Sequence, residues 1–185
     1  THIGDITSTG NRGIDARSGS GPISVFSTGD IHTVDAGIYA STSGAAAVSV
    51  SHTGDITSTL NRGIDARSEK GAVTTVSTGD IQAVDVGIAA NTNGAAAVSV
   101  THTGDITSSL NRGIDARSNA GSVTTVSSGT VQAVNDGVYA RSTDAGTVSI
   151  IHTGDVTSEV NRGIFAESVN GSVDITLGEG VVEGA

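Results

Sequence analysis

Gly54-Asp55-Ile56-Thr57-Ser58, Gly63-Ile64-Asp65-Ala66-Arg67-Ser68, Gly71-Ala72-Val73-Thr74-Thr75-Val76 and Gly79-Asp80-Ile81 follow one another between residues 54 and 81. Ile64/Ala66 and Val73/Thr75 stand at alternate positions, a single Ile follows each Gly-Asp, and glycines, serines and asparagines stand between the segments. Alternation with period two marks strands that bury one face, and the separators are turn formers. Shifted along the chain, the same stretch returns. Gly-Asp-Ile-Thr-Ser opens at Gly4, Gly54 and Gly104, and Gly-Asp-Val-Thr-Ser at Gly154, a period of 50. Weaker copies at Gly29-Asp30-Ile31, Gly79-Asp80-Ile81 and Gly129-Thr130-Val131 halve that period, so the unit is 25 residues.

Three landmarks keep this period. The aliphatic after Gly-Asp recurs at Ile6, Ile31, Ile56, Ile81, Ile106, Val131, Val156 and Val181. A Gly-aliphatic-x-Ala element runs from Gly13-Ile14-Asp15-Ala16 to Gly163-Ile164-Phe165-Ala166, spaced alternately by 24 and 26. An alternating pair runs from Ile23/Val25 to Val173/Ile175. Three short strands and their turns fill 25 residues, and one such unit cannot bury its apolar face without neighbours on either side. The period is too short for a propeller blade, and three leucines are too few for a leucine-rich array. The expected fold is a single continuous three-sided parallel β-helix over residues 1–185, a stretch of a longer repeat array. Its coils stack at the strand spacing, giving a rod roughly 35 Å long. The Ile6-to-Val181 series forms an aliphatic ladder inside, and Ala16, Ala66, Ala116 and Ala166 suit a narrow interior.

Composition agrees. Val and Ile number 22 and 16 against 3 Leu, a β-branched bias that disfavours helix. The net charge is −10 with Lys70 the only lysine, which argues against a nucleic-acid partner. No apolar run approaches the roughly 20 residues that a membrane-spanning helix needs. There is no cysteine, so neither disulfides nor thiolate chemistry enter.

The order Thr/Ser-x-Gly-Asp-Ile-Thr-Ser, Gly-Ile-x-Ala-x-Ser, Gly-x-Val-x-Val, clearest at Gly63–Ser68 and Gly71–Ile81, resembles the repeats of bacterial autotransporter passenger domains. The resemblance implies a right-handed β-helix, secreted through the outer membrane and displayed at the cell surface as an adhesin or the stalk that carries one. Lack of cysteine fits passage through an oxidising periplasm. Signal sequence, linking helix and membrane barrel are missing, so an internal passenger fragment is implied.

Four polar series stand out. Asp5, Asp30, Asp55, Asp80, Asp105 and Asp155 form a candidate surface ladder, broken by Thr130 and Gly180. Stacked about 5 Å apart, such carboxylates repel by roughly 1 kcal/mol each even in water, so backbone N–H groups of the turns, arginines or calcium must offset them. Turn capping is the expected solution. Asn-Arg pairs at Arg12, Arg62, Arg112 and Arg162 and Asp/Arg pairs at Asp15/Arg17, Asp65/Arg67 and Asp115/Arg117 are expected to form a solvated ion-pair stripe, ending in an exposed Phe165. His2, His52, His102 and His152 lie two coils apart, too far to share one metal, and are expected as buried or corner spacers. An outward Thr-x-Thr rank, as an ice-binding surface would need, fits at Thr7/Thr9 and Thr57/Thr59 but is lost at His32 and Gln82 and in the later copies that end in Ser109 and Glu159. Constant connection lengths leave no cleft for catalysis, so no enzyme, cofactor or metal is expected. The expected role is a non-catalytic extracellular rod that touches a host-cell, matrix or neighbouring-cell surface. The alternative is a filament subunit that self-associates end to end through its strand edges.

Overall fold

The computed structural model describes residues Thr1–Ala185 as a three-sided parallel β-solenoid without helix. The first sheet stacks eight strands, from His2–Ile3 through Ile23–Thr28 and Val73–Thr78 to Val173–Leu177. The second stacks eight short strands from Ile6–Ser8 to Val182–Glu183, and the third stacks seven from Ile14–Ser18 to Ile164–Ser168. Partners in the first sheet are 25 residues apart, as in Val48↔Val73↔Val98. In the third they alternate between 26 and 24, as in Ile38↔Ile64↔Ile88. The coil period read from the glycine landmarks is thus the strand register itself.

The interior is a set of one-residue columns. Ile31, Ile56, Ile81, Ile106, Val131 and Val156 are all buried and pair directly in the second sheet, while Ile6, in the first coil, is only half-buried. Ile38, Ile64, Ile88, Ile114 and Val138 face them from the third sheet, with Ala40, Ala66, Ala90, Ala116 and Ala140 two positions on. Close approach fixes the corner between these sheets. A Cβ on Gly87 would lie 2.6 Å from the Gly113 carbonyl oxygen and would collide with Ile106 Cγ2. At the opposite corner Gly54 has φ +131, and a Cβ there would meet the Gly29 carbonyl oxygen of the coil below at 2.5 Å.

The expected ladder breaks at one place. Val182, not Val181, pairs with Val156. The last Gly-Asp turn is replaced by Gly178-Glu179-Gly180, one residue longer, and Gly180 takes the positive φ (143°) that Gly154 has in the coil below. The Gly154 N–H donates to the Glu179 carbonyl at 2.7 Å, which pushes Val181 out of the ladder into the place of the ladder aspartate.

The third inward column of the first sheet is polar. Ser27, His52, Ser77, His102, Ser127 and His152 alternate there, and each serine Oγ lies 2.8 Å from Nδ1 of the next histidine. The middle column reads Val25, Val50, Thr75, Val100, Thr125 and Ile150. The Thr75 and Thr125 hydroxyls are fully buried and have no hydrogen-bond partner. A buried hydroxyl without a partner costs about 1–3 kcal/mol. Thr75→Val, which keeps the shape and restores the column, is therefore expected to stabilise the rod by about 1–2 kcal/mol. A urea midpoint equal to or below that of the parent would refute this account of the column.

Candidate functional site: a carboxylate ladder and an arginine face

The aspartates at the Gly-Asp corner stack, and each caps the coil above. Asp30 donates its backbone N–H to Asp5 Oδ1 at 2.9 Å, Asp55 to Asp30 at 2.9 Å, Asp80 to Asp55 at 2.8 Å and Asp105 to Asp80 at 2.9 Å. Thr130 donates to Asp105 and Val181 to Asp155 in the same way. Capping is thus the use of this ladder, and the amide capped belongs to the next coil rather than to the same turn. Each bond places a charged acceptor on an amide at the strand entrance, a stronger interaction than a neutral pair. No three His, Asp or Glu side chains converge as a metal cage requires.

All eight arginines lie on one side of the rod, on the outer face of the third sheet and the turns leading into it. Arg67 grips Asp65 with Nε and Nη2, at 2.6 and 2.8 Å, and Arg62 adds Nη1 at 2.9 Å. Arg117 and Arg112 hold Asp115 likewise. These are not solvated pairs. Asp65 is 5% exposed and Asp115 7%, because Arg62 and Arg112, on the preceding turn, fold over them. Only Asp15, in the first coil, matches the solvated expectation.

A further column of acids, which the sequence patterns left unmarked, completes the network. Asp35 and Asp85, each two residues before a corner glycine, accept hydrogen bonds from Asn61 and Asn111 of the following coil. Asp85 also faces Arg62 Nε at 3.0 Å. In the sixth coil this role shifts by one residue to Asp136, which is fully buried between Arg112 Nε at 2.9 Å and Arg162 Nε at 3.0 Å. Rings complete the face where the columns carry them. Arg12 covers Tyr39 at 3.8 Å, Arg112 covers Tyr139 at 4.1 Å and Arg162 covers Phe165 at 4.0 Å. Phe165, expected to be exposed, is instead half-buried and stacked on Tyr139 with centroids 4.7 Å apart. Arg62 meets Ala89 in the corresponding place, so the ring is missing from the fourth coil.

At that coil the face opens into a groove of about 690 Å³ running along the rod from Ser41 to Thr143. Val86 is its one apolar lining residue; the others are guanidinium, amide, hydroxyl and carboxyl side chains. Asn91 sits between Arg67 and Arg117 in adjacent strands and is too short to close the gap.

Burial shifts the titrating groups in opposite directions. Desolvation lowers His102 to about 4 against the support of the Gly104 carbonyl, and lowers His52 and His152 as well. Desolvation raises Asp65 to about 6, opposed by Arg62 and Arg12. At Asp15 desolvation also favours the proton, but the hydrogen bonds from Arg17 and Arg12 outweigh it and the pKa falls. Unfolded histidines take up protons as pH falls through 6.5, whereas His102 in the fold stays neutral until about 4. The unfolded state therefore holds more protons in that window, and stability drops as pH falls. His102 alone removes about 3 kcal/mol at full effect. Asp65 works the other way, since its penalty at neutral pH is relieved as pH falls through 6. Three histidines against one aspartate give net loss on acidification. The urea midpoint is expected to fall between pH 7 and pH 4.5, and His102→Gln to flatten that dependence. A midpoint that rises on acidification would contradict this balance.

The chain matches no protein-family model, and no curated protein or solved structure is significantly similar to it. No helix is long and apolar enough to cross a membrane.

Proposed function

We propose that this chain is a segment of an extracellular, surface-displayed rod of the autotransporter-passenger kind, a non-catalytic stalk or adhesive surface. The observation that carries the reading is the unbroken register: from Ile23–Thr28 to Val148–Thr153 each six-residue strand of the first sheet pairs along its whole length, with no inserted loop. Enzymes on solenoids converge their groups on loops that vary from coil to coil, and here the connections hardly vary. Repetition instead sets identical side chains at fixed intervals, so weak contacts add through multivalency. Digestion of intact source cells with an impermeant protease tests it. The reading expects the repeat to be cleaved while cytoplasmic markers survive; a repeat protected until lysis would overturn it.

A second reading, a filament subunit that stacks end to end, draws on the final coil, where Val173, Ile175 and Leu177 are each nearly half exposed. A strand edge with such a column is a template for another coil. Sedimentation of the purified chain at rising concentration separates the readings, since the filament requires mass that grows with concentration and the stalk does not.

A further inference from the structure

We infer that the groove on the third sheet binds a linear acidic polysaccharide laid along the rod axis. The inference rests on the surface-rod reading and names the ligand class for it. Three observations carry it. First, charge is sorted by face. The eight arginines share one side with eight carboxylates, Asp15, Asp35, Asp65, Asp85, Asp115, Asp136, Glu167 and the groove-lining Glu69, while the rest of the rod holds eleven acids and only Lys70. A polyanion is repelled by every other surface and meets its cations only here.

Second, the guanidinium groups in the groove have donors to spare. Arg67 and Arg117 each spend Nε and Nη2 on their own aspartate, and neither Nη1 has a hydrogen-bond partner in the chain. Arg141 Nε lies 2.7 Å from Glu167 as an ion pair, and the guanidinium makes no hydrogen bond within the chain. The paired aspartates fix these forks in place, so free donors are held in position rather than waving in solvent. Arginine in that state suits carboxylate and sulfate, which it binds through paired N–H groups.

Third, the remainder of the wall fits a polyhydroxylated chain. Hydroxyl and amide side chains such as Thr42, Ser43, Asn91, Asn93, Asn119 and Thr143 line the groove. It spans strands from Ile38–Thr42 to Val138–Ser142, four strand spacings or roughly 19 Å, which calls for a chain molecule rather than a single ion. No aromatic ring lines it, and stacking platforms are what single-stranded nucleic acid requires.

The test is affinity electrophoresis of the purified chain in gels containing polygalacturonate, dextran sulfate, neutral dextran or single-stranded poly-dT, at 20 mM and 300 mM salt. Retardation is expected from polygalacturonate, dextran sulfate or both, strongly reduced at high salt, and absent from neutral dextran. Carboxylate and sulfate are distinguished by which of the two polymers is the stronger. Asn91→Asp leaves every arginine pair intact while placing a carboxylate between Arg67 and Arg117, and is expected to weaken binding at least tenfold with an unchanged circular dichroism melt. Arg141→Gln, which breaks only an exposed pair, is expected to weaken it less. No retardation by either acidic polymer, equal retardation by poly-dT, or Asn91→Asp binding like the parent would overturn the assignment. Those outcomes leave the surface-rod reading standing, because protease access on intact cells decides that separately.

Discussion

Ile81→Asp is expected to break the solenoid in the middle. Ile81 is fully buried between Ile56 and Ile106, and its Cγ2 packs against Gly63. Losing the aliphatic side chain costs about 2–5 kcal/mol. Keeping the new carboxyl neutral at pH 7, some three pH units above its usual pKa, adds about 4 kcal/mol. The total rivals the whole stability of an ordinary domain, about 5–15 kcal/mol. In a solenoid each coil leans only on its neighbours, so the fourth coil should open first and expose the turns on both sides. Circular dichroism and limited proteolysis check this: the variant should lose sheet signal and be cut near residues 78–95, and a parent-like melt would show that Ile81 does not face inward.

The second large effect is expected at Asp136. Its carboxylate is out of reach of water and is shared by Arg112 and Arg162, which come from turns two coils apart. Removing one member of a buried, hydrogen-bonded charge set leaves the others uncompensated, at about 3–5 kcal/mol. Arg162 is half exposed and Arg112 keeps Asp115, so Asp136→Ala should cost near the lower figure. Asp85→Ala, at the equivalent place with a partly exposed carboxylate, should cost about 1 kcal/mol or less. Urea unfolding of both variants decides; equal costs would mean that burial does not set the worth of this column.

The fold was legible because its information is periodic. Ile31 to Val156 could be placed inside from spacing alone, since a ladder in an unbroken stack admits no slip. Val181 failed where periodicity failed: the turn at Glu179-Gly180 has no Gly-Asp landmark, and hydrogen bonding from Gly154, not hydropathy, chose Val182. The carboxylate ladder was legible as a cap, but the amide that it caps lies 25 residues away and is found only through the register. The arginine face was misread as solvated for a physical reason. Asp65 and Arg67 alternate outward on their strand, and only the path of the preceding turn shows that Arg62 closes over them. Asp35 and Asp85 left a faint trace, an acid two residues before each corner glycine, and Asp136 breaks even that by one position. The groove left none, because it comes from what is missing at Ala89 and Asn91.

The alternation of serine and histidine along the inner corner sets a quantum for growth and shortening. Loss of 50 residues between two Gly-Asp-Ile-Thr-Ser copies, such as those at Gly54 and Gly104, rejoins the chain with every His still beside a Ser and with the 24 and 26 spacings still alternating. Loss of 25 residues would bring His52 against His102, two desolvated imidazoles one strand apart with no hydroxyl between them. It would also replace one 26 and one 24 spacing in the third sheet by a single spacing of 25, which matches neither register. Recombination among these near-identical blocks therefore yields viable rods only in steps of two coils, about 9–10 Å. Lineages that carry the array should differ in reach by whole multiples of that step.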